Sequence, residues 1–181
     1  MSGSLVASAY FEDGDYFSVL GDGLRSMGIK GSDYKDIVFF CVGTSKCSGD
    51  SLGPEVGTLL KQRGFNVCGV LDKEVNALNV GKVYEDLKKK YPNFFVICLD
   101  SFVTSSKDTI GSILLYSSPM SPGVGLGKQI GTYGDCCIVG SVIVSGDTVS
   151  STFFRLCCVN RIFIFKMANK IADMISLYFR E

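Results

Sequence analysis

The sequence predicts an α/β protein, a three-layer αβα sandwich around a mostly parallel, mixed sheet. Three observations carry that expectation. Continuous apolar runs at 37–42, 94–99 and 136–144 read as strands buried on both faces. Segments with a helical apolar stripe stand between them, the alternation that builds parallel sheets. The chain has 181 residues, 46% of them hydrophobic, which suits one domain whose core needs neither disulfides nor metal.

Residues 1–35 read as an N-terminal segment rich in Gly, Ser and Asp, with a loose tail and a short helix. Tyr16, Leu20, Leu24 and Met27 form the stripe of that helix, although Gly21 and Gly23 weaken it. Residues 36–181 read as a single α/β domain. The strand at 37–42 runs into a loop over 43–53. Pro54 suits the first turn of the helix that follows, Val56, Leu59 and Leu60 face its core side, and Gly64 ends it. A second strand is expected at 65–71. Asn79 caps a helix whose Val80, Val83, Tyr84 and Leu87 point inward. Lys88, Lys89 and Lys90 favour its C-terminus and Pro92 stops it. The strand at 94–99 ends at Asp100. Two more strands, at 111–116 and 136–144, are separated by a Pro/Gly-rich loop over 117–134. One long helix is expected from about 151 to 179. It is apolar nearly all round at 159–165 and so largely buried, with Phe153, Phe154, Phe163 and Phe165 in the core.

Composition removes several chemistries. There is no histidine, so Ser-His-Asp and Cys-His catalysis and ordinary His-ligated zinc sites are excluded within this chain. With 18 basic and 18 acidic residues the chain is formally neutral, which gives no electrostatic reason to bind nucleic acid or an anionic membrane. The eight cysteines include no C-x-x-C pattern. Several lie within apolar runs, and the adjacent pairs Cys136-Cys137 and Cys157-Cys158 are poorly placed to share one ion. Free, mostly buried thiols in a reducing, cytoplasmic compartment are the expectation. Residues 1–17 carry acidic but no basic side chains, unlike a signal or transit peptide. The apolar stretch near the end is broken by Arg161, Lys166, Lys170 and Asp173, so no membrane span is expected.

In such sheets ligands bind beyond the carboxyl ends of the strands. The loops to watch are 43–53, 100–109, 117–134 and 145–151. Asp50 lies between a buried strand and a helix in Gly49-Asp50-Ser51-Leu52-Gly53-Pro54, and Asp100 follows another buried strand. Two carboxylates at neighbouring strand ends cannot both ionise freely, so they share a proton and one pKa rises. Such a pair activates water and protonates a leaving amine. On spacing alone, simple capping by both residues is the favoured reading. Ser45, Lys46 and Ser48 share the first loop. A Ser-Lys dyad is conceivable there, but contact with substrate is the better reading of Lys46. Gly123-Val124-Gly125-Leu126-Gly127-Lys128 has the look of a phosphate loop, but Pro122 and Gln129 stand where that motif needs Gly and Ser or Thr. Asp147 reads as a cap for the last helix, with Ser150 or Ser151, or else as a third acid. Arg161, if buried, needs a carboxylate partner.

The order of motifs carries a resemblance. Residues 38–44, Ser48-Gly49-Asp50-Ser51-Leu52-Gly53-Pro54, the segment from Leu71-Asp72 to Asn79, Leu99-Asp100, Ser121-Pro122-Gly123-Val124-Gly125 and Asn160-Arg161 resemble the YyaC-like sporulation proteins, over about 37–172. That family is similar to the bacterial germination protease and, more distantly, to hydrogenase-maturation endopeptidases. Germination protease is an atypical aspartic protease that degrades small acid-soluble spore proteins. Its Asp-Ala-Leu-Gly-Pro motif is matched by Asp50-Ser51-Leu52-Gly53-Pro54, its Ile-Asp-Ala motif by Leu99-Asp100-Ser101, and its Ser-Pro-Gly loop by 121–127. The resemblance implies a phosphorylase/hydrolase-like sandwich and a sporulation or germination peptidase in the forespore or spore interior. Asp50 and Asp100 would be catalytic. Lys46, Ser48, Gly49, Ser101, Gly123, Gly125 and Lys128 would hold a peptide or small spore protein. The alternative is a non-catalytic peptide- or protein-binding sporulation factor on the same scaffold. The hydrogenase endopeptidases use Glu, Asp and His around nickel. Without histidine that chemistry is not expected here, and neither metal nor cofactor is assigned. An oligomer is compatible with the sequence.

Overall fold

The apolar runs form the middle of one sheet in a computed structural model that describes residues 4–180. The strands are β1 (Leu5–Tyr10), β2 (Ile37–Cys41), β3 (Val67–Cys68), β4 (Phe95–Thr104), β5 (Ser112–Tyr116) and β6 (Cys136–Val144). The helices are α1 (Tyr16–Ser26), α2 (Leu52–Gln62), α3 (Val80–Lys90), α4 (Val149–Cys157) and α5 (Arg161–Tyr178). The strand order is β1-β5-β6-β4-β2-β3. β3, β2, β4 and β6 pair in parallel, and β5 lies antiparallel to both β6 and β1. The sheet is thus mixed, with β5 alone reversed.

Strand alternation sorts the side chains into two cores. Phe39, Cys41, Ile97, Leu99 and Ile138 face a helical layer that includes Leu24 of α1, Val56 and Leu60 of α2 and Ile171 and Ile175 of α5. Val38, Phe40, Val96, Cys98 and Val139 face Val80 and Leu87 of α3, with Met120 and Tyr133 from the long loop. That is the expected three-layer sandwich. Phe39 and Phe40 are fully buried on opposite faces of one strand, each worth on the order of 2–3 kcal/mol of burial. Among the described residues no helix is long and apolar enough to cross a membrane. All eight cysteines are free thiols, as the sequence suggested.

Five expectations are corrected. The tail before α1 is not loose: it forms β1, an edge strand on β5 whose Ala9 is buried. The strand expected over 65–71 shrinks to β3. Gly69 there takes a φ of +94° with its α-carbon against the Cys41 carbonyl, and Val70 and Lys73 then close a turn on each other. β4 does not stop at Asp100. It continues to Thr104 because β6 stays alongside it, pairing Asp100 with Val139 and Thr104 with Val144. The long final helix is two helices. Asn160 is extended, and its Oδ1 accepts from the N–H groups of Ile162 (2.8 Å) and Phe163 (3.4 Å), starting α5 afresh. Consequently Phe153, Phe154 and Phe165 are 51%, 70% and 59% exposed rather than core, and Phe163 is partly buried. Finally, α4 is capped by Thr148, in reciprocal bonds with Ser151, and not by Asp147. Arg161 is exposed, 3.7 Å from Glu55 of α2, so it has a partner without being buried.

Candidate active site

After β2 the chain crosses to β3, and after β4 it crosses the other way, to β5 and β6. The carboxyl ends of β2 and β4 are therefore a topological switch point, where the outgoing loops diverge and leave a crevice. The first side of the crevice is the loop 43–50. Gly43 has a φ of +142°, and any side chain there would overlap the Asp50 carbonyl. That carbonyl accepts from Thr44 N–H at 3.0 Å, and Asp50 N–H donates to the Cys47 carbonyl at 3.0 Å. The loop thus closes on itself and delivers Asp50 in a short 3-10 turn (Ser48–Ser51) at the head of α2. The other side is β4. Alternation puts Asp100 on the face of Val96 and Cys98, and Ser101 N–H donates to its Oδ1 at 2.7 Å.

Asp50 and Asp100 both line each of two adjoining lobes. One, of about 260 Å³, continues along Ser101, Phe102 and Val103 under Ser121 and Gly125. The other, of about 400 Å³, is walled by Lys46, Asn76, Leu78, Lys128, Ile130 and Phe153. Gly123, Leu126 and Leu156 belong to both. The carboxylate pair therefore sits where two mostly apolar lobes meet.

Burial drives the electrostatics. It holds the Asp100 carboxyl well above the usual carboxylate range, the charge of Asp50 adds to the effect, and the Ser101 N–H opposes it. Burial also pushes Asp50 up, to about 6. There the Thr44 N–H opposes the rise, the charge of Glu74 adds to it, and Lys128 draws it back. Burial thus favours the protonated carboxyl at both positions, more strongly at Asp100. Asp100 Oδ1 is taken by the Ser101 N–H, which leaves Oδ2 to carry the proton whenever the carboxyl is neutral. The arrangement offers two carboxyls of unequal proton affinity on the walls of one cleft.

The other expected residues divide. Lys46 and Lys128 stand on the wall of the larger lobe, Ser101 and Gly125 on the smaller, and Gly123 on both. Ser48 and Gly49 line neither. The Ser48 hydroxyl is buried without a hydrogen-bond partner, and Gly49 lies beneath Leu156. Of the two loop serines, Ser48 has its hydroxyl buried and Ser45 gives its N–H to Glu74 at 2.7 Å. The glycine loop is no phosphate cradle. Gly123 and Gly127 are left-handed, with φ of +76° and +67°. The N–H groups of Leu126 and Lys128 turn back to the Gly123 carbonyl, and that of Gly127 to Val124. Asp147 is exposed and lines neither lobe, and loop 145–151 contributes nothing to the cleft.

Glu74 is the residue sequence reasoning missed. Its carboxylate accepts from the Thr44 hydroxyl and from Ser45 N–H, both at 2.7 Å, and so ties the first loop to the chain after β3. Burial pushes Glu74 up, but the bonds from Ser45 and Thr44, with the Lys46 charge, outweigh it and hold it below the usual value. The only signal was its place inside the motif segment from Leu71 to Asn79. Asn76, Leu78, Phe153 and Leu156 were missed as well, because they reach the cleft from elements distant in sequence. As a metal centre the donor set does not fit. Among the described residues no three His, Cys, Asp or Glu side chains converge.

Comparison with known proteins places the chain. A profile of the family described as "Protein of unknown function (DUF1256)" matches residues 10–174. The protein "Uncharacterized protein YyaC" of Bacillus subtilis (strain 168) is 36% identical over 157 residues, spanning 85% of this chain and 75% of that protein. The crystal structure of a [NiFe] hydrogenase maturation protease, HycI from Thermococcus kodakarensis KOD1, superposes with a TM-score of 0.50 at 17% identity. It covers 80% of this chain and 92% of that one. At that identity the likeness shows a shared fold.

Proposed function

The chain belongs to the DUF1256 family, and we propose that it is a peptidase of sporulation or germination whose working groups are Asp50 and Asp100. The observation that carries this reading is the meeting of two carboxylates of raised pKa at the junction of two lobes. The fold shared with a maturation protease and the kinship with YyaC support it. An extended peptide laid through both lobes brings one bond over the pair. Ionised Asp50 takes a proton from a water as its oxygen attacks the carbonyl carbon. Protonated Asp100 gives its proton to the departing amine as the C–N bond breaks. Lys46, Lys128, Ser101 and the 123–128 loop hold the peptide on either side. The substrate class is a peptide or small spore protein, and the place of action is the forespore or spore interior.

The test is incubation of the purified protein with spore proteins and a mixed peptide library, beside Asp50→Asn and Asp100→Asn. Cleavage should fall at least about 100-fold in each variant. Peptide binding without cleavage by the wild-type protein would overturn the enzyme in favour of a binding factor. Activity abolished by a chelator would replace the carboxylate pair with a metal-dependent mechanism.

A further inference from the structure

Two thiols meet beside the cleft, one of them on its wall. Cys47 Sγ and Cys157 Sγ lie 2.6 Å apart, although 110 residues separate them in sequence. A disulfide bond is about 2.05 Å long, so little movement separates this contact from a covalent bond. The positions are not incidental. The Cys47 carbonyl accepts the Asp50 N–H, and Cys47 itself lines the larger lobe. Cys157 is the last residue of α4, next to Leu156, which covers Gly49 and lines both lobes. Cys157 is partly exposed where Cys47 is buried, so a reagent has a way in to one of the two.

We propose that Cys47 and Cys157 form a reversible disulfide that fastens the Asp50 turn to the end of α4. The oxidant is the disulfide of a small-molecule thiol. The Cys157 thiolate attacks one of its sulfurs, forming a mixed disulfide and releasing the first small thiol as thiolate. Cys47 then attacks Cys157 Sγ, and the second thiolate leaves. The two protons lost by the cysteines end on the two small thiols, and the protein has lost two electrons. Burial pushes the Cys47 thiol up to about 12, with the hydrogen bond and charge of Cys157 adding to it. Those last two contributions vanish once Cys157 is in the mixed disulfide, which favours the second step. Burial pushes up the thiols of Cys41, Cys98, Cys136 and Cys137 as well, and what sets Cys47 apart from them is its contact with Cys157. The inference holds whether or not the carboxylate pair cleaves peptides.

The experiment treats the full chain with oxidised glutathione, blocks free thiols by alkylation and maps the digest by mass spectrometry. A cross-linked peptide pair joining Cys47 and Cys157 is expected in the wild-type protein and in Cys158→Ser, and not in Cys157→Ser. Thermal unfolding of the oxidised Cys158→Ser protein should move up by roughly 5–10 °C and return on reduction. Glutathione retained on Cys157 with Cys47 alkylatable, a bond between Cys157 and Cys158, or no change of mass would each overturn the proposal. So would a linked pair with an unmoved unfolding midpoint.

Discussion

Asp50 and Asp100 are chemically the same side chain in two different surroundings, and the difference gives the pair its polarity. Asp100 sits on a strand between Leu99 and Ser101, and burial, the Asp50 charge and the Ser101 N–H set its pKa. Asp50 sits in a turn within reach of Lys128, whose charge lowers its pKa, and of Glu74, whose charge raises it. Burial sets most of the rise, and Lys128 lowers the pH at which Asp50 ionises. Replacing it in Lys128→Met should move the acidic limb of the peptide-cleavage pH profile to higher pH, because Asp50 then holds its proton longer. The alkaline limb, set by Asp100, should stay in place. A profile that does not shift would mean that the Lys128 charge does not reach the pair.

At the scale of elements, the site is made by interruptions. β4 runs on past Asp100 with a register shift between Phe102 and Val103, and this lays Ser101, Phe102 and Val103 along the smaller lobe. The final helical stretch breaks before Asn160, which lets α4 stand apart from α5 and bring Leu156 and Phe153 to the cleft. Asn160 holds that break by satisfying two of the N–H groups at the start of α5. Asn160→Ala should cost about 1 kcal/mol in denaturant unfolding. A loss indistinguishable from zero would show that packing alone ends α4.

The whole molecule carries the cost of keeping two carboxyls under cover. Folding raises the Asp50 pKa from its usual 3.8 to about 6, so the folded state holds that proton more tightly than the unfolded chain. Its favourable contribution is full below about pH 4 and is lost as pH rises through about 6. Asp100 acts in the same direction. Asp50→Asn and Asp100→Asn should each be more stable than the parent at pH 7, for Asp50→Asn by on the order of 1–3 kcal/mol. The advantage should fade toward pH 4. Equal gains at both pH values would mean that the effect is not one of ionisation. A site that destabilises its own fold is common where function needs a strained group.

Local chemistry was enough to read much of this protein. Runs of buried Val, Ile, Phe and Cys named β2, β4 and β6, because a strand buried on both faces can carry little else. Gly64, Asn79 and Pro92 marked helix ends through backbone preferences that act within a few residues. The motif around Asp50 and the segment ending at Asp100 pointed to the pair. Pairing was not legible, since β1 has no continuous apolar run and is a strand only because β5 offers it an open edge. Nor was the break at Asn160, where the apolar pattern continues across the cap. The proximity of Cys47 to Cys157, the clamp of Glu74 on the first loop and the burial that raises the pKa of both aspartates all depend on residues far apart in the chain. Those contacts exist only once the sheet has set β2 beside β4, and long-range packing decides them.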